Sequence, residues 1–456
     1  MKRLILLCAA TLALTLTACK KEAPSGSSSQ GAPSGPDAPV SPETDWKSFV
    51  ENYFDENLAY FGPTEEETNY SGAYYTGDYT SPFKTYLNKT DEEIQTKLEQ
   101  LWDHYFKGNI NSTIYYDKGL EAYILNTADN DVRSPGMAYG MMIAVQTGHK
   151  TEFDKLWTFA KNHMWQKSGE KDGYFAWQCS TDGSVKDNGC CPDAEMYFMA
   201  SLLFASKRWN ENKYWEDAQY ILDKMWSNNA KKLFSSTHKV IAYQPGYDYT
   251  EPAYDLPAFI ELFSRCSEKQ GENWASTITH TRNHLYNSSH TTSGLFAEIS
   301  HFDGTPCSVS FNQNATKYMY EAMRCAMNFG MDYYLFGVDA RRQTEMAKRL
   351  IGFFEKDNYE HARFNWDGSN PSEQYTLGET GANAVACYAL IGVAGQEDII
   401  RKNLQKAWEA NPLTGSYRYY DGLVHYLSML HLCGHFKIWK LSHSEASARW
   451  PEIDQL

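Results

Sequence analysis

Beyond its first nineteen residues the chain has no apolar run of the ~18 residues that a bilayer-spanning helix needs, so the expected contact with a membrane is confined to the N-terminus. A basic cluster is also lacking. Without Lys2 and Arg3, which belong to that N-terminal segment, 40 Lys and Arg stand against 57 Asp and Glu, a formal charge of −17. Nucleic-acid phosphates require a positive footprint, so nucleic acid is excluded as an expected partner. A neutral ligand meets no such objection. Of ten cysteines, eight (Cys179, Cys190, Cys191, Cys266, Cys307, Cys325, Cys387 and Cys433) are scattered, with no C-x-x-C and no histidines at zinc spacing. No metal and no cofactor is therefore expected, and no disulfide pairing can be assigned from spacing. Residues 20–44 contain no aromatic side chain and, in Val40, a single branched aliphatic. Such a segment cannot bury enough surface to fold and reads as a flexible tether.

Residues 1–18 join a basic start to an apolar stretch that ends in Leu16-Thr17-Ala18, the pattern of a secretory signal peptide. The small residues directly before Cys19 resemble the lipobox of bacterial lipoproteins. That resemblance implies cleavage before Cys19, lipidation of its thiol, and an exported protein anchored to a bacterial membrane by lipid alone. Residues 45–456 are expected to form one large domain rich in Tyr and Trp.

Within it, Thr90-Asp91-Glu92-Glu93 forms a capping box, and Ile94, Leu98, Leu101 and Tyr105 mark one face of an amphipathic helix. Twelve helical segments are predicted, near 90–107, 135–147, 151–164, 193–208, 214–227, 255–267, 273–286, 316–329, 341–356, 379–392, 396–410 and 421–434. The odd-numbered members carry charge on one face, as in EFDKLWTFAKNHMW. Most even-numbered ones, such as GMAYGMMIAVQ and MYFMASLLFA, carry almost none. Six hairpins of one wetted and one enclosed helix bury the enclosed set best by closing into a ring, so the expected fold is all-α, an (α/α)6 barrel. An open solenoid is the alternative, but no clear internal repeat supports it.

In such a ring the loops entering the inner helices share one face. They and the first turns after them hold Asp131 and Arg133, Asp193 and Glu195, Tyr254 and Asp255, Glu321, Glu379, and Tyr419 to Asp421, with rings at Tyr174, Phe175, Trp177, Tyr417 and Tyr420. Aromatic rings stack on pyranose faces, and paired carboxylates cleave glycosidic bonds, so the pattern points to an oligosaccharide or polysaccharide cleft. Each acid taken singly also suits a helix N-terminus as a dipole cap. The segment Asp131 to Met142 reads DVRSPGMAYGMM, with Ser134 expected as an N-cap and Pro135 as the first helical residue.

The segments DVRSPGMAYGMM, GYFAWQCSTDG, PDAEMYF, LFASKRW, EPAYDLPAFIELFS, GLFAEISHFDGTP and YRYYDGLVHYLSMLHLCGHFKIW, in order between Tyr115 and Trp439, together resemble glycoside hydrolase family 8. They are most similar to its branch of reducing-end xylose-releasing exo-oligoxylanases. The resemblance implies an (α/α)6 barrel and inverting hydrolysis of β-1,4-linked xylo-oligosaccharides by a Glu acid and an Asp base. Where the family reads Val-Arg-Ser/Thr-Glu-Gly-Met, this chain has Pro135 at the acid position. Glu321 stands at the base position, one methylene longer than the family's Asp. A histidine of the exo-acting branch falls on Tyr375 or Gly378 according to register. The resemblance thus implies Glu321 and Asp193 as catalytic candidates, and Arg133, Trp177, Tyr254, Arg324, Tyr375 and Tyr420 as substrate-binding candidates. Glu195, Asp131 or Glu379 would have to replace the missing acid. A sugar-binding lipoprotein with impaired catalysis is the alternative. A polysaccharide lyase using Tyr375 is a third, disfavoured by the sparse Arg and Lys of these loops.

Overall fold

Three acidic residues, Asp91, Glu92 and Glu93, and a capping box open the first long helix of the computed structural model, which describes residues 72–227 and 232–439. The signal segment, Cys19, the tether and residues 45–71 lie outside the described residues. In this helix, α1 (Asp91–Phe106), the Thr90 hydroxyl accepts the Glu93 N–H at 3.2 Å and the Glu93 carboxylate accepts the Thr90 N–H at 2.8 Å. Ile94, Leu98, Leu101 and Tyr105 are buried along one face, as their spacing predicts.

Among the described residues eleven further helices of ten residues or more follow: α2 (Ser134–Thr147), α3 (Lys150–Phe159), α4 (Pro192–Arg208), α5 (Asn212–Ser227), α6 (Pro257–Cys266), α7 (Ile278–Ser288), α8 (Arg324–Leu335), α9 (Ala340–Lys356), α10 (Leu377–Ala386), α11 (Glu397–Glu409) and α12 (Arg418–Leu432). The even-numbered ones are enclosed; in α2 only Pro135 and Thr147 are not buried. Each inner helix packs on the next, α2 on α4, α4 on α6, α6 on α8, α8 on α10 and α10 on α12, and α12 packs back on α2. That closure is the (α/α)6 barrel. It excludes the open solenoid, whose terminal inner helices would not meet.

Several expectations shift. The segment 273–286 breaks into a short helix, Gly271–Ala275, and α7. The segment 316–329 is not helical at its start, because Lys317–Tyr318 pair as a strand with Asn365 and Phe364. Short apolar segments have no period long enough to separate helix from strand, and a partner 46 residues away decides here. Ser134 is not a side-chain cap: Arg133 occupies the N-cap with extended backbone, and Ser134 Oγ is buried without a hydrogen-bond partner. The Ser134 N–H instead donates to the Trp177 carbonyl at 2.9 Å.

Two small antiparallel sheets organise the loops that enter the inner helices. One orders β1 (Tyr115–Asp117), β2 (Ala122–Asn126), β3 (Asp131–Arg133), β4 (Gln178–Cys179) and β5 (Val185–Asp187) side by side. Its β3–β4 register pairs Arg133 with Gln178, which brings the α1–α2 and α3–α4 connections together at the mouth of the barrel. The other joins β6 (Lys317–Tyr318), β7 (His361–Asn365) and β8 (Ser372–Gln374), and positions the chain just ahead of Glu321.

Candidate active site

Arg324, first residue of α8, is 4 % exposed, and a buried guanidinium must be paired to be tolerated. Its Nη1 donates to Tyr139 Oη at 2.6 Å and to the Asp193 carboxylate, while Nη2 donates to Glu321 Oε2. Tyr139 Oη also donates to Asp193 Oδ2 at 2.9 Å, and Cys191 Sγ to Asp193 Oδ1 at 3.0 Å. Asp193 is thereby held from both oxygens by three side chains. Tyr420 Oη donates to Glu321 Oε2 at 2.9 Å, and the Glu321 N–H donates to Glu298 Oε1 at 3.0 Å. The Glu321 side chain keeps 37 % of its surface exposed, so this carboxylate reaches water.

Of these, Cys191, Asp193, Glu321, Arg324 and Tyr420 line a cleft of about 270 Å³ at the mouth of the barrel, together with Arg133, Pro135, Trp177, Tyr254 and Tyr419. The Arg133 guanidinium lies over the Trp177 ring, 5.1 Å from its centroid, and is held by Asp129 at 2.6 Å and Asp131 at 3.2 Å. Gly136 is required beside Pro135, because a Cβ there would stand 2.4 Å from Tyr419 Oη. Seven of the eight candidate residues, Glu321, Asp193, Arg133, Trp177, Tyr254, Arg324 and Tyr420, meet in this one cleft. Tyr375 does not line it: its ring packs on Phe354 and Tyr359, and its Oη accepts from Asn383 at 2.7 Å. Tyr375, expected as a substrate-binding residue, thus stands apart from the other seven, with its Oη also donating to the Glu379 carbonyl at 3.4 Å.

None of the three acids considered as replacements at the acid position lines the cleft. Asp131 is tied into the strand wall by Asn126, Arg133 and Gln178. Glu195 is enclosed within α4, where Oε1 accepts the Phe175 N–H at 2.9 Å and burial pushes its carboxyl up to about 8. Glu379 caps α10, pairs with Arg363 at 2.9 Å, and is likewise raised by burial to about 8. Asp255 is paired with His284 at 2.6 Å, away from the cleft.

Glu251, which sequence reasoning did not single out, does line the cleft. It lies 3.7 Å from Arg324 Nη2, and its Oε2 is buried without a hydrogen-bond partner. Burial, and then the Glu321 charge, hold its carboxyl well above the usual range against the opposing pull of Arg324. Glu298 is raised by the same two causes to about 8. Burial and the Glu321 charge thus both favour the protonated form of Glu251 and Glu298. The sequence did carry a signal for Glu251: an acid three residues before Tyr254, in a loop entering an inner helix. Among the described residues no cluster of His, Cys, Asp and Glu could hold a metal ion, and the eight cysteines named above are unbridged.

Residues 101–433 match the model of glycosyl hydrolases family 8. The chain is 33 % identical over 380 residues to the reducing end xylose-releasing exo-oligoxylanase of Halalkalibacterium halodurans, covering 81 % of this chain and 96 % of that protein. It is 23 % identical over 370 residues to endoglucanase 2 of Ruminiclostridium josui, covering 78 % of this chain and 75 % of that protein. The solved structure of Rex8A from Paenibacillus barcinonensis complexed with xylose superposes with a TM-score of 0.76 at 31 % identity, over 81 % of this chain and all of that one. With a ring of six helical hairpins, a cleft at its mouth and a family match over most of its length, the chain belongs to glycosyl hydrolases family 8.

Proposed function

We propose that the protein hydrolyses β-1,4-linked xylo-oligosaccharides with inversion, as an exported lipoprotein tethered through Cys19 and residues 20–44. The observation that carries this reading is the convergence of Asp193 and Glu321 on the buried Arg324, inside a cleft walled by Trp177, Tyr254 and Tyr420. The rings offer faces on which a pyranose stacks. Glu321, partly open to solvent and aligned by Tyr420, is the base that takes a proton from the attacking water. Asp193, fixed from three sides, is a rigid charge beside the cleaved sugar. Glu251, neutral and with one oxygen unengaged, is a donor for a sugar hydroxyl. The relatives named as reducing-end xylose-releasing exo-oligoxylanases support the choice of sugar.

Pro135 has no proton for the leaving oxygen, so turnover is expected to lack the ~10² to 10⁴-fold that a positioned acid supplies. The same residue, lining the cleft, favours a second reading in which the protein binds xylo-oligosaccharides with little or no turnover. Product release from xylobiose to xylohexaose, measured beside calorimetric binding of the same sugars, separates the two. Turnover that disappears in Glu321→Gln supports hydrolysis, and binding without turnover supports the second reading. Neither binding nor turnover on any xylo-oligosaccharide sinks both.

A further inference from the structure

Between α5 and α6 the chain reads Tyr243-Gln244-Pro245-Gly246-Tyr247-Asp248-Tyr249. Pro245 and Gly246 fill the centre of a β-turn closed by the Tyr247 N–H donating to the Gln244 carbonyl at 3.0 Å. Gly246 has a φ of +94°, the left-handed backbone that the second central position of a type II turn demands. Just inside the turn, the Tyr243 N–H donates to the Tyr249 carbonyl at 2.8 Å, so the segment is a small hairpin with Tyr247 at its tip.

The hairpin gathers rings. Tyr243 lies 5.9 Å from Tyr247 and 5.4 Å from Tyr249, and Phe311, from the α7–α8 connection, lies 5.5 Å from Tyr243. Beneath them a small separate core of Ile299, Cys307 and Ala315 packs against Tyr243 and Tyr249, which holds the group in place. Its inner edge belongs to the cleft, since Tyr243 and Gln244 line it and Tyr243 stacks 6.2 Å from Tyr254 at 30°. Its outer edge is open to water: Tyr247 is 45 % exposed and Phe311 51 % exposed. Rings therefore run without interruption from the cleft to the surface, on a support that keeps the two outer ones out of the core. Exposed apolar surface of this kind, continuous with a binding cleft and edged by polar groups, marks a ligand surface.

We propose that Tyr247 and Phe311 form a stacking platform for a further sugar of the oligosaccharide whose other residues occupy the cleft, an additional subsite that makes the protein prefer longer chains. The proposal rests on the reading of the cleft as a sugar site. Its occupant is a neutral pyranoside: no Lys or Arg contributes to the ring cluster, while Gln244 and Asp187 at the rim present acceptors and donors to hydroxyls.

Calorimetry on the full chain with xylobiose and with xylohexaose tests it, using wild type and the double variant Tyr247→Ala, Phe311→Ala. Both positions are on the surface, so the melting temperature should hold, and Tyr247→Trp, which keeps a ring, should retain binding. Wild type should bind xylohexaose more tightly than xylobiose. In the double variant the Kd for xylohexaose should rise about tenfold, roughly 1.4 kcal/mol, with xylobiose unchanged. Equal affinity of wild type for both sugars, or the same loss on both in the double variant, overturns the platform and leaves the cleft reading intact. Wild type that binds neither sugar overturns the cleft reading and the platform with it.

Discussion

Replacing Pro135 by Glu puts a proton donor at the position where the family resemblance implies the acid. Pro135 is the second residue of α2, where a helix N–H has no intrahelical partner, so the new N–H breaks no existing ladder. Loss of proline frees the unfolded chain and costs about 0.4–1 kcal/mol. A carboxylate in the first turn returns about 0.3–1 kcal/mol from the helix dipole. The two effects nearly cancel, and the melting temperature should move little. Pro135 already lines the cleft together with Arg133 and Asp193, so a glutamate there would be a cleft residue. A positioned acid contributes ~10² to 10⁴-fold, which at about 1.4 kcal/mol per tenfold is roughly 3–5 kcal/mol off the barrier. The assay is steady-state release of xylose from xylotriose by wild type, Pro135→Glu and Pro135→Gln. Glutamine has the same shape and no acidic proton, so its rate should stay at the wild-type level. Equal rates for Pro135→Glu and wild type, or an equal gain in Pro135→Gln, would refute the assignment of position 135 as the missing acid.

Two further outcomes concern the buried charges. Arg324→Gln removes the cation from Asp193, which is 1 % exposed, and should cost about 3–5 kcal/mol of stability. Urea unfolding reads this directly, and a loss under 1 kcal/mol would show that the pair is solvated. Glu195 holds its proton to about 8 while an unfolded glutamate releases it near 4.5. Between those values the native state binds more protons than the unfolded one, so stability falls as pH rises from about 4.5 to about 8 and levels off above. Each such group contributes up to about 1.4 kcal/mol per pH unit. Glu195→Gln, which keeps an oxygen for the Phe175 N–H, should flatten the decline in melting temperature between pH 5 and 8; an unchanged slope would mean that Glu195 is ionised in the native state.

The barrel was legible because helix periodicity is a local property. The charge-free runs of α2 and α4 and the one-sided charge of α3 and α9 state which helices are enclosed, and only a closed ring satisfies six of each. The capping box at Thr90 was readable for the same reason, since its partners lie three residues apart. The seven candidates that meet in the cleft were picked out by loop position and motif. What the sequence could not state was which acids share a space. Asp131, Glu195 and Glu379 stand in the same kind of loop or first turn as Asp193, yet each turns into a wall, a helix interior or an ion pair. Glu251, hidden in a loop, faces the cleft. Tyr375 looked equivalent to the other tyrosines and stands apart from the cleft. Likewise Lys317–Tyr318 became a strand because Phe364 was there to pair with it. Local sequence determines backbone periodicity and the chemical type of each side chain. Direction, burial and the protonation of crowded carboxyls depend on neighbours tens to hundreds of residues away, and those only the closed barrel supplies.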